Sequence, residues 1–102
     1  MNRGEVWWVE TPGGRRPHLI LTRTSAIPTL DRLLTVPTTG TIRGIPTEVA
    51  LDRADGMPSE CALTLDNVST ARKSHFVERI CRLSDARMHA VCRALSQAVD
   101  CS

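Results

Sequence analysis

Glu5-Val6-Trp7-Trp8-Val9-Glu10, halted by Thr11-Pro12-Gly13-Gly14 and followed by Pro17-His18-Leu19-Ile20-Leu21-Thr22-Arg23, is the stretch that decides the fold class. The first run is short, β-branched and aromatic, and its stop is turn chemistry, so it reads as a strand entering a turn. The second is a strand with proline at its first position, where a missing N–H is tolerated. Adjacent Trp7 and Trp8 point to opposite faces of the first strand. At most one of them enters a core, and the other packs on the surface or at an interface.

Working outward, further short strand-like runs follow at close spacing. They are Leu33–Val36, closed by Pro37-Thr38-Thr39-Gly40, then Thr47–Leu51 with period-two alternation, Cys61–Leu65 and Phe76–Cys81. The ending differs. Ser84 suits a helix N-cap and Asp85 its positive first turn. From there Met88, Val91, Cys92, Leu95, Ala98 and Val99 recur at three- and four-residue steps, one apolar stripe with no interior Pro or Gly. The pattern is mainly β with one helix, and predicts a small antiparallel barrel capped by that helix. The loop at 52–59 is the segment expected to be flexible.

At 102 residues the chain suits one domain, spanning 1–102, and is too short for two. A chain of this size buries roughly 60–68% of its unfolded surface, enough for a single small core. With 41% hydrophobic and 24% charged residues it lies in the globular range. No run approaches the ~20 apolar residues of a membrane helix. The opening Met1-Asn2-Arg3-Gly4-Glu5 turns acidic before any apolar run, unlike a secretory leader, which points to the cytoplasm.

Charge is uneven. Residues 1–47 hold six Arg against three acids, and Arg outnumbers Lys twelve to one. Such an excess either lines a surface for oxyanions, which guanidinium forks grip bidentately, or reflects GC-rich coding of an ordinary surface. The four cysteines (Cys61, Cys81, Cys92, Cys101) contain no CxxC-type pair and are expected to be buried free thiols, with no metal and no cofactor. Phosphate-binding, dinucleotide, zincin and serine-hydrolase motifs are absent, and His18, His75 and His89 are scattered. Two places look less like scaffold. Arg15-Arg16-Pro17 holds an arginine in extended geometry ahead of proline, leaving it less freedom to lose on binding an anion. Pro37-Thr38-Thr39-Gly40 sets two hydroxyls at a strand exit. Arg-Pro and Thr-Thr pairs also arise by chance.

Taken in order, Arg3-Gly4-Glu5-Val6-Trp7-Trp8-Val9, Arg16-Pro17-His18-Leu19-Ile20-Leu21-Thr22, Val36-Pro37-Thr38-Thr39, Glu48-Val49 and Asp66-Asn67-Val68 resemble the MazF/PemK toxins of type II toxin–antitoxin pairs. The resemblance spans about residues 3–99, and its most specific parts are the opening RGEVWWV and the Arg-Pro strand. It implies an SH3-like barrel of the kind shared with CcdB toxins, a homodimer, and sequence-specific, metal-independent cleavage of single-stranded RNA (messenger, transfer or ribosomal) that stops translation. It assigns the catalytic arginine to Arg16 and the catalytic hydroxyl to Thr39, in a groove that a MazE-like antitoxin covers with an extended acidic segment. Two departures stand out. The loop from Thr11 to Arg15 is short and lacks the acid that relatives carry there, and Arg15 stands where His or Gln is common.

Metal-free RNA cleavage uses the 2′-OH as internal nucleophile, giving a 2′,3′-cyclic phosphate and a 5′-OH. It needs a proton acceptor, a proton donor and stabilisation of the charged phosphorane. Arg16 suits the last role and is a poor base, since a guanidinium gives up its proton only above pH ~12. Thr39 can donate a hydrogen bond to a non-bridging oxygen, with protons passing through water or a substrate group. Arg15, Arg43, Arg72 and Lys73, with the Thr38 hydroxyl, are the candidate RNA contacts. Two rival readings remain: a CcdB-like topoisomerase poison and a noncatalytic SH3-like RNA- or protein-binding module.

Overall fold

The computed structural model describes residues 1–100. Seven antiparallel strands form one sheet: β1 (Glu5–Thr11), β2 (Gly14–Ile20), β3 (Arg32–Thr39), β4 (Glu48–Leu51), β5 (Cys61–Thr64), β6 (Ser69–Arg72) and β7 (Phe76–Arg82). The order is β4-β5-β3-β2-β1-β7, with β6 also on β3. The helix α1 (Asp85–Val99) closes the described chain. This is the expected barrel-type β architecture with a C-terminal helix, with one correction. The ladder stays open, because β4 and β7 are its two ends and do not pair with each other.

The first hairpin is tighter than its sequence suggested. The β1–β2 register runs from Val6↔Leu19 out to Thr11↔Gly14, leaving Pro12 and Gly13 as the turn. Gly14 takes φ +107°, a backbone position a side chain would strain. Arg15 and Arg16 therefore lie inside β2, paired with Glu10 and Val9, and not in a loop ahead of it. Pro17 sits mid-strand without harm. Its carbonyl faces β3 and so does its nitrogen, on a side where the backbone ladder has already ended.

Both faces of the sheet carry cores. One cluster joins Val6, Leu19, Val36, Leu63 and Leu65 to Val91 and Ala94 of α1. The other gathers Val9, Ile20, Ile27, Leu33 and Phe76 on the opposite face. This settles the tryptophans. Trp7 packs against the second cluster, edge-on to Phe76 at 6.4 Å between centroids, with its indole N–H donating to Glu5 at 2.9 Å. Trp8 turns the other way.

Ser84 caps α1 as expected, accepting from the Arg87 N–H at 3.2 Å. The buried stripe is narrower than the sequence pattern: Val91 and Ala94 form its centre, while Cys92 and Val99 are exposed. Cys92 corrects the expectation of buried thiols. Cys61 is buried and Cys81 half-buried, and Cys101 lies outside the described residues. The 52–59 loop is held rather than slack. It forms a short 3-10 turn (Arg53–Asp55) with a reciprocal cap between Asp52 and Asp55, and Asp55 takes a 2.9 Å hydrogen bond from Arg87. Among the described residues, no helix is long and apolar enough to cross a membrane.

Candidate active site

β3 is the strand that builds the site, because it changes neighbours along its length. Residues 32–35 pair with β6, 35–37 with β2, and 38–39 with β5. Where β3 passes from β2 to β5, the sheet opens and a cavity of about 280 Å³ forms. Trp8, Arg15, Arg16, Thr38 and Thr39 line it on one side, and Met57 and Ser59 of the 52–59 loop, with the adjoining Glu60, on the other.

The register fixes which groups face each other. His18↔Pro37 is the last β2–β3 pair, and one more step along each alternating face sets Arg16 opposite Thr39. Among the described residues Arg16 makes no ion pair and no side-chain hydrogen bond. Thr39 Oγ1 accepts the Thr41 N–H at 3.1 Å, so its own proton is left to donate. The neighbouring hydroxyl is used differently. Thr38 Oγ1 donates to the Pro17 carbonyl at 3.1 Å, and Thr64 does the same for the Pro37 carbonyl at 3.3 Å. Each threonine satisfies a proline carbonyl at the opening, fixing the strands that carry Arg16 and Thr39.

Behind Arg16, His18 is buried with Nδ1 3.3 Å from the Thr35 hydroxyl. Burial first, and then the Arg16 charge, push this imidazole below its ordinary range, so it stays neutral at neutral pH. Cys61, at the foot of the cavity, is pushed up by burial, Asp55 and Cys81, and remains a thiol. Arg15 lies 3.8 Å from Glu10 in an exposed pair that leaves its guanidinium accessible.

Four of the seven residues anticipated from the sequence thus converge: Arg15, Arg16, Thr38 and Thr39. The other three do not. Arg43 lies on the loop after Thr39, its N–H donating to Glu48 at 2.9 Å and its guanidinium 3.9 Å from the same carboxylate. Arg72 and Lys73 line a separate, larger cavity of about 560 Å³ with Asp31, Arg32 and Ser74, where the Lys73 ammonium donates to the Ile27 carbonyl at 2.9 Å. Trp8 is the tryptophan that alternation leaves for the surface or an interface, and the Met57–Glu60 wall was not among the anticipated residues. For Trp8 the alternation of the strand was a usable signal; for the wall no local motif exists.

Comparison with known proteins fits this architecture. A protein of Mycobacterium tuberculosis (strain ATCC 25618 / H37Rv) named probable endoribonuclease MazF5 is 49% identical over 102 residues, covering 98% of this chain and 94% of the relative. The solved structure of Mycobacterium tuberculosis toxin MazF-mt6 superposes with a TM-score of 0.90 at 28% identity, over 96% of this chain and 98% of that one. A mycobacterial endoribonuclease in complex with its cognate antitoxin gives 0.91 at 25% identity, over 100% and 97%. Residues 2–99 match the family model of PemK-like, MazF-like toxins of type II toxin–antitoxin systems, and the chain belongs to that family.

Proposed function

We propose that this chain is a sequence-specific, metal-independent endoribonuclease that cuts single-stranded RNA, as the toxin of a toxin–antitoxin pair that inhibits translation in the cytoplasm. The observation that carries the reading is the register that sets Arg16 across from Thr39 at the mouth of one cavity. Attack of the 2′-oxygen on the adjacent phosphorus forms the O2′–P bond and breaks the P–O5′ bond. The Arg16 guanidinium faces the non-bridging oxygens as their charge grows, a role worth about 3–4 kcal/mol for a single preorganised donor. Thr39 donates a hydrogen bond to the same oxygens, keeping its proton. Arg15 holds the flanking backbone, and Trp8 offers a stacking face for a splayed base. Single strands suit such a groove because their base edges are open.

The chain acts as one domain in a homodimer, and a MazE-like antitoxin with an extended acidic segment inhibits it by covering this cationic groove. The test is incubation of the purified protein with a long single-stranded RNA in EDTA, with Arg16→Ala as control. Discrete fragments ending in 2′,3′-cyclic phosphate are expected from the wild type alone. Intact RNA with the wild type, or equal cleavage by the variant, refutes the assignment.

A further inference from the structure

The reaction needs a group to take the 2′-OH proton, and neither Arg16 nor Thr39 is suited to that task. The titratable side chains lining the cavity are Arg15, Arg16, Glu60 and Cys61. Both guanidinium groups are already protonated at neutral pH, and the Cys61 thiol is held protonated by its surroundings. His18 shares the Arg16 face but is buried against Thr35 and outside the lining, while His75 and His89 are on other elements. One carboxylate remains.

Glu60 is also on the right face. Thr39 pairs with Ala62 in the β3–β5 ladder, so the alternation that puts Arg16 and Thr39 on one face carries Glu60, two residues before Ala62, to that same face. Arg16, Thr39 and Glu60 thus come from three successive strand lines, β2, β3 and the entry to β5. Two strand spacings of about 4.8 Å, and the two-residue rise of about 6.7 Å from Ala62 to Glu60, put the cation and the carboxylate about 12 Å apart at the backbone, within reach of two long side chains with the Thr39 strand between them. A ribose and its 3′-phosphate fit that span.

Glu60 is exposed and makes no ion pair or side-chain hydrogen bond among the described residues, so nothing competes for its oxygens. Its loop is nonetheless fixed. The Asp52–Asp55 cap and the Asp55–Arg87 contact hold one end, and Met57 is buried with its sulfur 3.7 Å from Cys81 Sγ.

We propose that Glu60 is the catalytic base of this chain, accepting the 2′-OH proton while Arg16 and Thr39 hold the phosphate across the groove. This rests on the ribonuclease reading above. The proton passes from O2′ to a Glu60 carboxylate oxygen, the O2′ electron pair forms the bond to phosphorus, and the P–O5′ pair leaves with O5′, which takes a proton from water. Glu60 then returns its proton to solvent, and the atoms balance without a co-reactant. The charged groups around Glu60 are Arg15 and Arg16 from β2, and Asp52 and Arg53 across the adjoining cavity.

The experiment maps a cut on a long transcript, then uses a DNA oligonucleotide carrying one ribonucleotide at that cut, under single-turnover conditions. Glu60→Gln is expected to slow cleavage by about 100-fold, to abolish the acid-side limb of the pH–rate profile, and to leave binding of the all-deoxy oligonucleotide as tight or tighter. Glu60→Asp should recover part of the rate. Replacing the bridging 5′-oxygen by sulfur, a leaving group that needs no proton, should not rescue Glu60→Gln. Rescue by that sulfur would overturn the proposal by making Glu60 the acid. A Glu60→Gln rate within threefold of wild type, alongside an inactive Arg16→Ala, would overturn the base while leaving the ribonuclease reading intact. Cleavage of the all-deoxy oligonucleotide by the wild type would instead overturn both.

Discussion

The two ends of β3 both present arginines to a cavity, yet they are different chemical objects. At the Thr39 end, Arg16 faces a hydroxyl with a free proton, and a carboxylate lies on the far wall. At the Arg32 end, Arg32 and Arg72 are directly opposed across β3 and β6, with Asp31 and Ser74 beside them and the neighbouring ammonium already spent on a backbone carbonyl. The two ends lie seven residues apart, about 23 Å of strand, and alternation puts their arginines on opposite faces. The second cavity is the larger, so neither size nor charge marks the site. Both cavities hold a cation, a hydroxyl and a carboxylate, so what distinguishes the first is their arrangement: one guanidinium set by the register across from a hydroxyl whose proton is free. The second end opposes two like charges and has its ammonium committed to a carbonyl, an arrangement suited to gripping backbone.

The sharpest way to break this contrast is Arg16→Ala against the Arg32→Ala/Arg72→Ala double variant. Removing Arg16 should lower the cleavage rate at saturating RNA by about 300-fold or more, with an unchanged denaturation midpoint. The double variant should leave that rate intact and flatten the salt dependence of RNA affinity, by a slope of about 1.4 if both arginines neutralise phosphates. Equal rate losses at the two ends would dissolve the distinction. Thr39→Val should cost about 10- to 100-fold in rate, the value of a hydrogen bond to a charged oxygen, with little loss of stability.

The sequence made the cationic half of the site legible and hid the rest for a physical reason. Arg16 and Thr39 adjoin strands whose pattern is local, so the reading comes within a few residues of their place, setting one in the turn before β2 and the other at the exit of β3, and the family resemblance names them. Glu60 belongs to a loop whose conformation is set from far along the chain. Gly56 sits at φ +97°, where an added Cβ would stand 2.7 Å from that of Cys81, and Asp55 is held by Arg87. Neither partner is predictable from residues 52–59 alone. β6 carries no strand signal of its own, because Ser69-Thr70-Ala71-Arg72 has only one small apolar residue and its pairing is dictated by β3. Cys92 fits the apolar repeat yet lies exposed, because a three- and four-residue repeat describes a stripe wider than the face α1 buries.

Smaller effects sharpen the role of the paired threonines. Thr38→Val keeps the shape and deletes the hydroxyl, leaving the Pro17 carbonyl without a partner at a buried position. Urea denaturation should show a loss of about 1–2 kcal/mol. The accompanying fall in cleavage rate should be smaller than for Thr39→Val, because Thr38 acts by fixing the strand that carries Arg16.

The subtlest prediction concerns His18. Burial lowers its proton affinity, and the Arg16 charge lowers it further, so the folded imidazole titrates below its unfolded value. A depressed folded value means that its contribution to stability is whole above about pH 6.5 and declines as pH falls toward the folded value, because the unfolded state binds the proton first. Arg16→Ala removes the repulsive part and leaves the burial part. The His18 ring resonances in NMR should therefore titrate at higher pH in the variant than in the wild type, while still below a free imidazole, and the acid-side loss of stability should shrink accordingly. An unmoved His18 titration would place the Arg16 guanidinium away from the ring, turned out of the face it shares with Thr39, and would loosen the geometry on which the contrast between the two ends of β3 depends.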